Sequence, residues 1–197
     1  MRTVLPAMLV TVLCSCEKST KLLTTEELVD SKIENVIPAR YLDTLRKLGL
    51  HANRGINPPN IEGNYFIRPH LLDAGNVPGD EHGRRFADAQ AIFSTQSNKD
   101  FAVNFTGSNF VSRYDTSLAT VIAGQGNDFT VYGKVKAVNG EHYAIFGVVI
   151  SGTRLGSDLR DLRIGIINID DSHGGGQFIK EGQGRVGYDA DDVTHKE

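Results

Sequence analysis

Apolar and polar residues alternate most regularly along residues 129–150, and this pattern predicts a long β-hairpin. Asn139-Gly140 lies at its centre and is typical of a two-residue type I′ turn. Pairing outward from this turn places Val138 opposite Glu141. One face then carries mainly apolar side chains: Phe129, Val131, Gly133, Val135 and Ala137 on the first strand, and His142, Ala144, Phe146, Val148 and Ile150 on the second. Because register and hydrophobicity agree, we predict that this face is buried.

Short apolar segments separated by turn-forming residues continue this pattern over most of the chain after Pro58-Pro59. The predicted strands are 61–68, 86–95, 101–105, 110–114, 119–123, 129–138, 143–151, 162–169 and 185–188, with 152–158 as a longer connection. Spacings of roughly 8–14 residues without intervening helices favour antiparallel pairing of consecutive strands. The sequence therefore predicts a mainly β fold, an antiparallel up-and-down barrel of about eight strands, with a β-sandwich as the alternative.

Helical signals are confined to residues 26–56, before the predicted barrel domain at 57–197. Thr24 or Thr25, followed by two glutamates, is typical of a helix start. After Pro38, residues 39–48 place apolar side chains at near-helical spacing, and Gly49 is a natural end. We expect one or two short helices that pack against the sheet.

The N-terminal residues are similar to the signal peptide of a bacterial lipoprotein. A short basic start precedes the apolar residues 4–13. Leu13-Cys14-Ser15-Cys16 resembles a lipobox, with leucine at −3, a small residue at −1 and the modified cysteine at +1. The resemblance implies cleavage after residues 1–15, attachment of lipid to Cys16, and a tether over 16–25. An ordinary secretory signal and a buried hydrophobic helix are the alternatives.

Four later stretches carry a wider resemblance: IPARYLDTLRKLGL, NPPNIEGNY, ISGTRLGSDLRDLRIGIINID and GRVGYDADD. Together with the lipobox, they resemble a group of lipoproteins from Bacteroidota whose domains are calycin-like, that is, lipocalin-like barrels. The resemblance implies a lipid-anchored barrel in the cell envelope. It implies no activity, because none of these motifs is catalytic.

Composition and charge narrow the classes of function. The 197 residues carry a net charge of −3 and a pI of about 6.1, which gives no electrostatic footprint for nucleic acid. Both cysteines lie in the lipobox-like motif, so we expect no disulfide and no thiol chemistry in the folded domain. No run reaches the roughly 20 apolar residues that a membrane-spanning helix needs.

Two groups of acids and histidine, at residues 80–82 and 170–173, contain candidate metal ligands. Neighbouring residues in one turn rarely converge on an ion, so we interpret both groups as solvated turns. The acidic stretch 188–192 lacks the glycine and glutamate of a calcium loop. The chain also lacks the Gly-x-Ser-x-Gly motif of a nucleophile elbow. We therefore predict no enzymatic activity, no metal and no cofactor.

Three functions from different classes remain. The first is an envelope-anchored barrel that binds a small apolar or amphipathic ligand, with an interior lined by Val131, Val135, His142, Phe146, Val148 and Ile164. The second is a structural or interaction lipoprotein with a packed core, whose outer surface contacts an envelope protein. The third is an envelope hydrolase, which no motif supports.

The expected location is the outer membrane, reached through the lipid anchor. Glu17-Lys18 follows Cys16 in place of the aspartate that is associated with inner-membrane retention in some bacteria. The expected partners are the membrane, a small apolar ligand or an envelope protein, and not nucleic acid.

Overall fold

The described chain, residues 22–197 of a computed structural model, begins with two helices and continues as strands. The helices are α1 (Thr25–Val36) and α2 (Ala39–Lys47). The strands are β1 (Ile56–Asn57), β2 (Gly63–Ile67), β3 (His70–Gly75), β4 (Ala89–Ser97), β5 (Ala102–Ser108), β6 (Asp115–Gln125), β7 (Asp128–Asn139), β8 (His142–Leu155), β9 (Asp158–Asp170), β10 (Gly184–Asp189) and β11 (Val193–Thr194). Cys16, the predicted signal peptide and most of the predicted tether lie outside the described residues.

The barrel strands are hydrogen-bonded in the order β2-β4-β5-β6-β7-β8-β9-β10-β3. From β4 to β10, each strand pairs antiparallel with the next strand along the chain. These nine strands form a nearly closed antiparallel barrel preceded by two short helices. The predicted up-and-down barrel is therefore confirmed, and the alternative sandwich is not adopted.

The gap in the barrel lies between β2 and β3, which follow each other in the chain but occupy opposite ends of the strand order. Residues 193–197, named here the C-terminal seam, partly fill it. The seam pairs with β9 through β11 and forms a bridge between Lys196 and Tyr65 of β2. The Lys196 ammonium also donates a hydrogen bond to the Glu62 carbonyl at 2.7 Å. These contacts join the first barrel strand to residues near position 195.

Three consecutive hairpins, from β6 to β9, turn through two residues each, and the first residue of each turn is a glycine with positive φ. The φ angles are 66° at Gly126, 62° at Gly140 and 63° at Gly156, as a type II′ turn requires. The predicted type I′ turn over Asn139-Gly140 was wrong. Asn139 is the last residue of β7 and pairs with His142, so the turn residues are Gly140 and Glu141. Each residue of β7 pairs with the β8 residue two positions after the predicted one. Because side chains alternate between the two faces of a strand, every side chain stays on the face that was predicted for it.

Two of the predicted segments are wrong, and three strands, β1, β3 and β11, were not predicted. Residues 110–114 form a loop held by the Asp115 carboxylate, which accepts hydrogen bonds from the backbone N–H groups of Phe110, Val111 and Ser112. Residues 152–158 belong largely to β8 and β9 and to the turn that joins them. Two of these, β1 and β11, have only two residues each, and the third, β3, pairs with β10 about 115 residues later in the chain.

The two helices pack on the outer face of the barrel. A capping box between Thr24 and Glu27 starts α1. At the end of α2, Gly49 adopts a φ of 92°, and the Leu50 N–H bonds to the Leu45 carbonyl at 3.0 Å, as in a Schellman motif. Leu45 and Leu50 lie over Gly165 of β9, where a Cβ atom would come within 3.0 Å and 2.7 Å of their methyl groups. The small residue on the sheet is what allows this close approach.

Candidate functional site

Four of the six predicted lining residues lie in a tightly packed interior. Val131, Val135, Val148 and Ile164 are all buried in one cluster, together with the aromatic side chains Tyr65, Phe93, Phe105, Phe110 and Phe129. The ring centroids of Phe93 and Phe105 are 5.7 Å apart, and those of Phe105 and Phe110 are 5.6 Å apart. This aromatic cluster fills much of the barrel interior.

The other two predicted lining residues lie away from that cluster. Phe146 is buried with Ala137 and Ala144, and its ring meets Phe178 at 6.1 Å. His142 is exposed at the tip of the β7–β8 hairpin. The backbone at Gly175 approaches the His142 ring so closely that a Cβ atom there would be 2.4 Å from Nδ1. The structure thus separates His142 from the interior positions.

The two predicted groups of acids and histidine are occupied by local contacts. His82 Nδ1 lies 2.9 Å from the Asp73 carbonyl oxygen. The Asp170 carboxylate accepts a hydrogen bond from the Ser172 N–H at 2.9 Å. Within residues 22–197, no three histidine, cysteine or carboxylate side chains converge in a way that could hold a metal ion.

A small, partly open cavity of about 80 Å³ lies between β3, β9, β10 and the loops next to β4 and β5. We name it the His70 cavity. Its apolar lining is Phe86, Phe110, Ile164, Ile166 and Gly187. Its polar lining is His70, Asn109 and Arg185. Ile164 is the predicted lining residue that borders this space.

His70 is the unusual group in the cavity wall. Its side chain is only 5% exposed, and Nδ1 is buried without a hydrogen-bond partner among the described residues. The ring packs against Phe86 at 5.0 Å, and a Cβ atom at Gly187 would lie 2.6 Å from Nε2. Burial lowers the pKa of His70, and the nearby Ala87 backbone and Asp88 only partly oppose this effect. The imidazole that forms part of the cavity wall is therefore neutral near neutral pH.

Asp189 lies directly opposite His70 in the β3–β10 pair and is also buried. Its Oδ2 accepts a hydrogen bond from the Thr194 hydroxyl at 2.6 Å, while Oδ1 has no partner among the described residues. Burial raises the pKa of Asp189 from 3.8 to about 6. Each of these facing residues therefore has one buried polar atom without a partner among the described residues, which is uncommon in folded proteins.

The raised pKa of Asp189 predicts how this residue affects stability. The native carboxyl group holds its proton more tightly than the unfolded one, so its contribution to stability falls as pH rises from 3.8 towards about 6. Asp189→Asn removes this ionisation. Between pH 4 and pH 7.5, the free energy of unfolding of the variant should rise relative to that of the wild type by on the order of 1 kcal/mol. Urea unfolding of both proteins at the two pH values measures the difference.

This experiment needs a control variant, and it must separate Asp189 from a group with the opposite effect on the pH dependence of stability. Glu34→Gln removes an exposed carboxylate from α1 and should show no such gain. The lowered pKa of His70 acts in the opposite direction, because its protonation at low pH disfavours the folded state. The comparison between variant and wild type is therefore the informative one. Equal pH dependence of the two would contradict the role given to Asp189.

Two arginines lie beside the cavity and share one carboxylate. Arg185 donates from Nε and Nη2 to the Asp80 oxygens at 2.8 Å and 3.0 Å, and Arg84 Nη1 lies 3.1 Å from the same carboxylate. Both guanidinium groups lie near the Phe86 ring, 5.8 Å from its centroid for Arg84 and 6.0 Å for Arg185. Two positive charges therefore share one negative charge beside the cavity, and the Asp189 carboxylate adds a second negative charge above about pH 6.

A larger concave surface, of about 300 Å³, lies between the helices and the outer face of the barrel. Its floor includes Ile33, Leu42 and Val149, and also Tyr132, whose pKa burial raises to about 12. Arg54 at its rim lies 3.7 Å from the Asp30 carboxylate. This helix groove contains none of the unpartnered buried atoms found among the described residues, so the His70 cavity is the stronger candidate site.

The sequence pattern did not reveal the His70 cavity, because the pattern did not predict β3. One signal is visible afterwards: His70 and Leu72 are two positions apart and share one face of β3. Within residues 22–197, neither helix has the length and apolar character needed to cross a membrane.

Comparison with protein-family models, with curated proteins and with solved structures finds no match to this chain, and the site is therefore defined by its own geometry.

Proposed function

We propose that the protein is a lipid-anchored lipoprotein of the cell envelope whose calycin-like barrel binds a small ligand in the His70 cavity. The observation that carries the proposal is the partly open cavity itself, whose wall combines apolar side chains with the buried residue His70 and with Arg185. Apolar walls with a few polar groups are the usual composition of a ligand site.

The size of the cavity limits what can bind. At about 80 Å³ it is well below the roughly 300–1,000 Å³ of pockets for drug-sized ligands. The aromatic cluster occupies the adjoining interior, so a long acyl chain of the lipocalin kind does not fit there. The proposed ligand is therefore a compact molecule of a few non-hydrogen atoms.

Binding, without catalysis, is the activity that we propose. Arg185 is held by Asp80, which leaves His70 as the one titratable lining residue free of an ion pair. General acid–base catalysis on a bound molecule usually needs a second group that activates or orients the reacting atoms. The lining of the His70 cavity offers no serine, cysteine or carboxylate for that role.

The proposed anchor is Cys16, supported by the lipobox-like residues around it. Helix α1 begins at Thr25, nine residues later, so an extended tether would span at most about 30 Å. The barrel would then stay close to the membrane surface, which we propose to be that of the outer membrane.

A pair of cysteine variants tests the anchor. Cys16→Ala should release the protein from the membrane fraction and abolish labelling by a fatty-acid analogue, because the acceptor sulfur is lost. Cys14→Ala, two residues away, should leave the membrane association and the labelling unchanged. Cell fractionation and metabolic labelling measure these outcomes. Full labelling of Cys16→Ala would refute the anchor.

Native mass spectrometry of the protein purified from its host tests ligand binding. We expect a co-purifying mass of a small compound, removed on denaturation. A second candidate function, an interaction lipoprotein with a solid core, is favoured by the aromatic cluster and by the helix groove. A ligand-free mass together with a stably co-purifying envelope protein would support that candidate instead.

A further inference from the structure

We infer that the end of the barrel where the tether enters lies on the membrane surface, with Leu22, Leu23 and Leu28 in contact with lipid. This inference rests on the proposed anchor at Cys16. We name the three side chains the leucine patch. They are 88%, 61% and 40% exposed, and they belong to none of the buried clusters of the described residues. Large apolar side chains that are grouped on a surface mark a place of contact with protein or membrane.

The local structure of the helix start accounts for only part of the leucine patch. Leu23 precedes the N-cap Thr24, and Leu28 is the fourth residue of α1, so the two occupy the positions of a hydrophobic staple. A staple contact brings two side chains together but leaves their outer surfaces in solvent. Leu22 has no place in this motif and is the most exposed large apolar side chain among the described residues. The burial of the patch therefore needs a partner outside α1.

The backbone at the start of α1 is suited to a medium of low polarity. The Glu27 N–H donates a hydrogen bond to Thr24 Oγ1 at 3.2 Å, and the Thr24 N–H donates to the Glu27 carboxylate at 2.8 Å. These bonds satisfy N–H groups that would otherwise depend on water. Because unsatisfied backbone groups are costly in contact with lipid, the capping box lowers the cost of placing this helix end at the headgroup level.

The length of chain before the leucine patch selects the membrane as the partner. Leu22 follows Cys16 by six residues, and an extended chain of this length spans at most about 20 Å. The patch is therefore within reach of the bilayer to which lipid on Cys16 would attach the protein. Apolar side chains at this distance gain by entering the boundary between headgroups and acyl chains.

The contact is apolar and not electrostatic. Residues 17–30 contain two lysines and four acidic residues, so attraction to anionic lipid does not drive it. The partner that fits the leucine patch is therefore an ordinary phospholipid surface, whatever its content of anionic lipid.

A fourth exposed leucine, Leu155, lies at the same end of the barrel. The start of α1 lines a shallow depression together with Ile56 of β1, and β1 pairs with the last residues of β6. In the turn that follows β6, the Asn127 carbonyl accepts a hydrogen bond from the Arg154 N–H at 2.8 Å. Leu155 is the next residue and is 51% exposed. Two distant parts of the sequence therefore present leucines at the end that we infer to face the bilayer.

Fluorescence quenching by lipid tests the inference in the full lipoprotein, reconstituted in phosphatidylcholine vesicles with and without nitroxide-labelled lipid. Under the proposed processing, Cys16 is lipidated and no other thiol remains, so one introduced cysteine carries the only fluorophore. The labelled variants are Leu28→Cys and, at the opposite end of β7, Val138→Cys, where the native side chain is 58% exposed. We expect quenching at position 28 to be at least about threefold stronger than at position 138, because only the former contacts lipid.

A pair of serine substitutions shows whether the leucines themselves make the contact. Leu22→Ser together with Leu23→Ser, in the Leu28→Cys protein, should reduce the quenching at least about twofold, because apolar area is lost from the patch. Both side chains are exposed, so the fold should persist. Leu118→Ser is the matched control: Leu118 is as exposed as Leu23, at 61%, but lies on β6 outside the patch. It should leave the quenching unchanged.

The possible outcomes separate the inference from the anchor on which it rests. Equal quenching at positions 28 and 138, or none at either, in protein that stays in the membrane would overturn the inference and leave the anchor in place. Quenching that the serine pair does not weaken would also overturn it. A fluorophore at position 28 that is shielded without lipid quenching, and more so at higher protein density, would assign the patch to a second copy of this chain instead. Full labelling of Cys16→Ala by the fatty-acid analogue would refute the anchor itself.

Discussion

Replacing Phe105 by alanine is expected to lower the free energy of unfolding by about 3–5 kcal/mol. Phe105 is 1% exposed and lies between Phe93 and Phe110, so the change would empty the centre of the aromatic cluster. Side chains from strands on both sides of the barrel meet in this cluster. No single local movement can therefore fill the space that the Phe105 ring leaves. Urea unfolding at constant pH measures the loss.

Ile92→Ala is the matched control for this experiment. Ile92 lies on the neighbouring strand β4 and pairs with Thr106, but its side chain is 37% exposed and points away from the cluster. We expect its loss to cost less than about 1 kcal/mol, because little buried area is removed. Similar losses for the two variants would mean that the aromatic cluster is not the centre of stability.

Gly124→Ala is the second substitution with a large expected effect, a loss of about 2–3 kcal/mol. A Cβ atom at Gly124 would lie 2.1 Å from the Asp128 carbonyl oxygen and 2.9 Å from the Phe129 Cα atom. Both are backbone atoms, so no change of side-chain rotamer relieves the overlap. The β6–β7 hairpin or its pairing with β1 must shift instead.

The same substitution at Gly133 should be tolerated. Gly133 also lies inside a strand, but the atom nearest to its Cβ position is in the Phe105 ring at 3.6 Å, an ordinary contact. Alanine there reduces the freedom of the unfolded chain, so we expect no loss or a gain of about 0.5 kcal/mol. Thermal and urea unfolding of the two variants checks the contrast. A destabilised Gly133→Ala beside an unchanged Gly124→Ala would contradict the described packing.

Local patterns predicted the elements that form between neighbours in the chain. The alternation on the β7–β8 hairpin placed Val131 and Phe146 on one face correctly, even though the turn lies one residue later than predicted. Asn139-Gly140 fits either of two turn types, and the choice depends on whether Asn139 joins the strand. Helix α2 was likewise visible from its apolar spacing and from Gly49.

The candidate site depended on contacts that no local pattern contains. His70 belongs to a short strand that follows a proline, and it faces Asp189 about 120 residues later in the chain. The predicted lining residues Val131 and Val148 are buried, but the sequence did not show that aromatic rings from other strands would occupy the space beside them. Cys16 lies outside the described residues, and its lipidation stays a prediction.

The C-terminal seam has a consequence for the order in which the molecule forms. The hairpins from β6 to β9 close over two-residue turns, whereas Tyr65 and Lys196 are separated by about 130 residues and pay a much larger entropic cost to meet. Contacts between such distant residues slow folding. During synthesis, β2 and β3 therefore keep free edges until almost the whole chain has emerged, and this is the stage at which the protein is most exposed to misassembly with another strand.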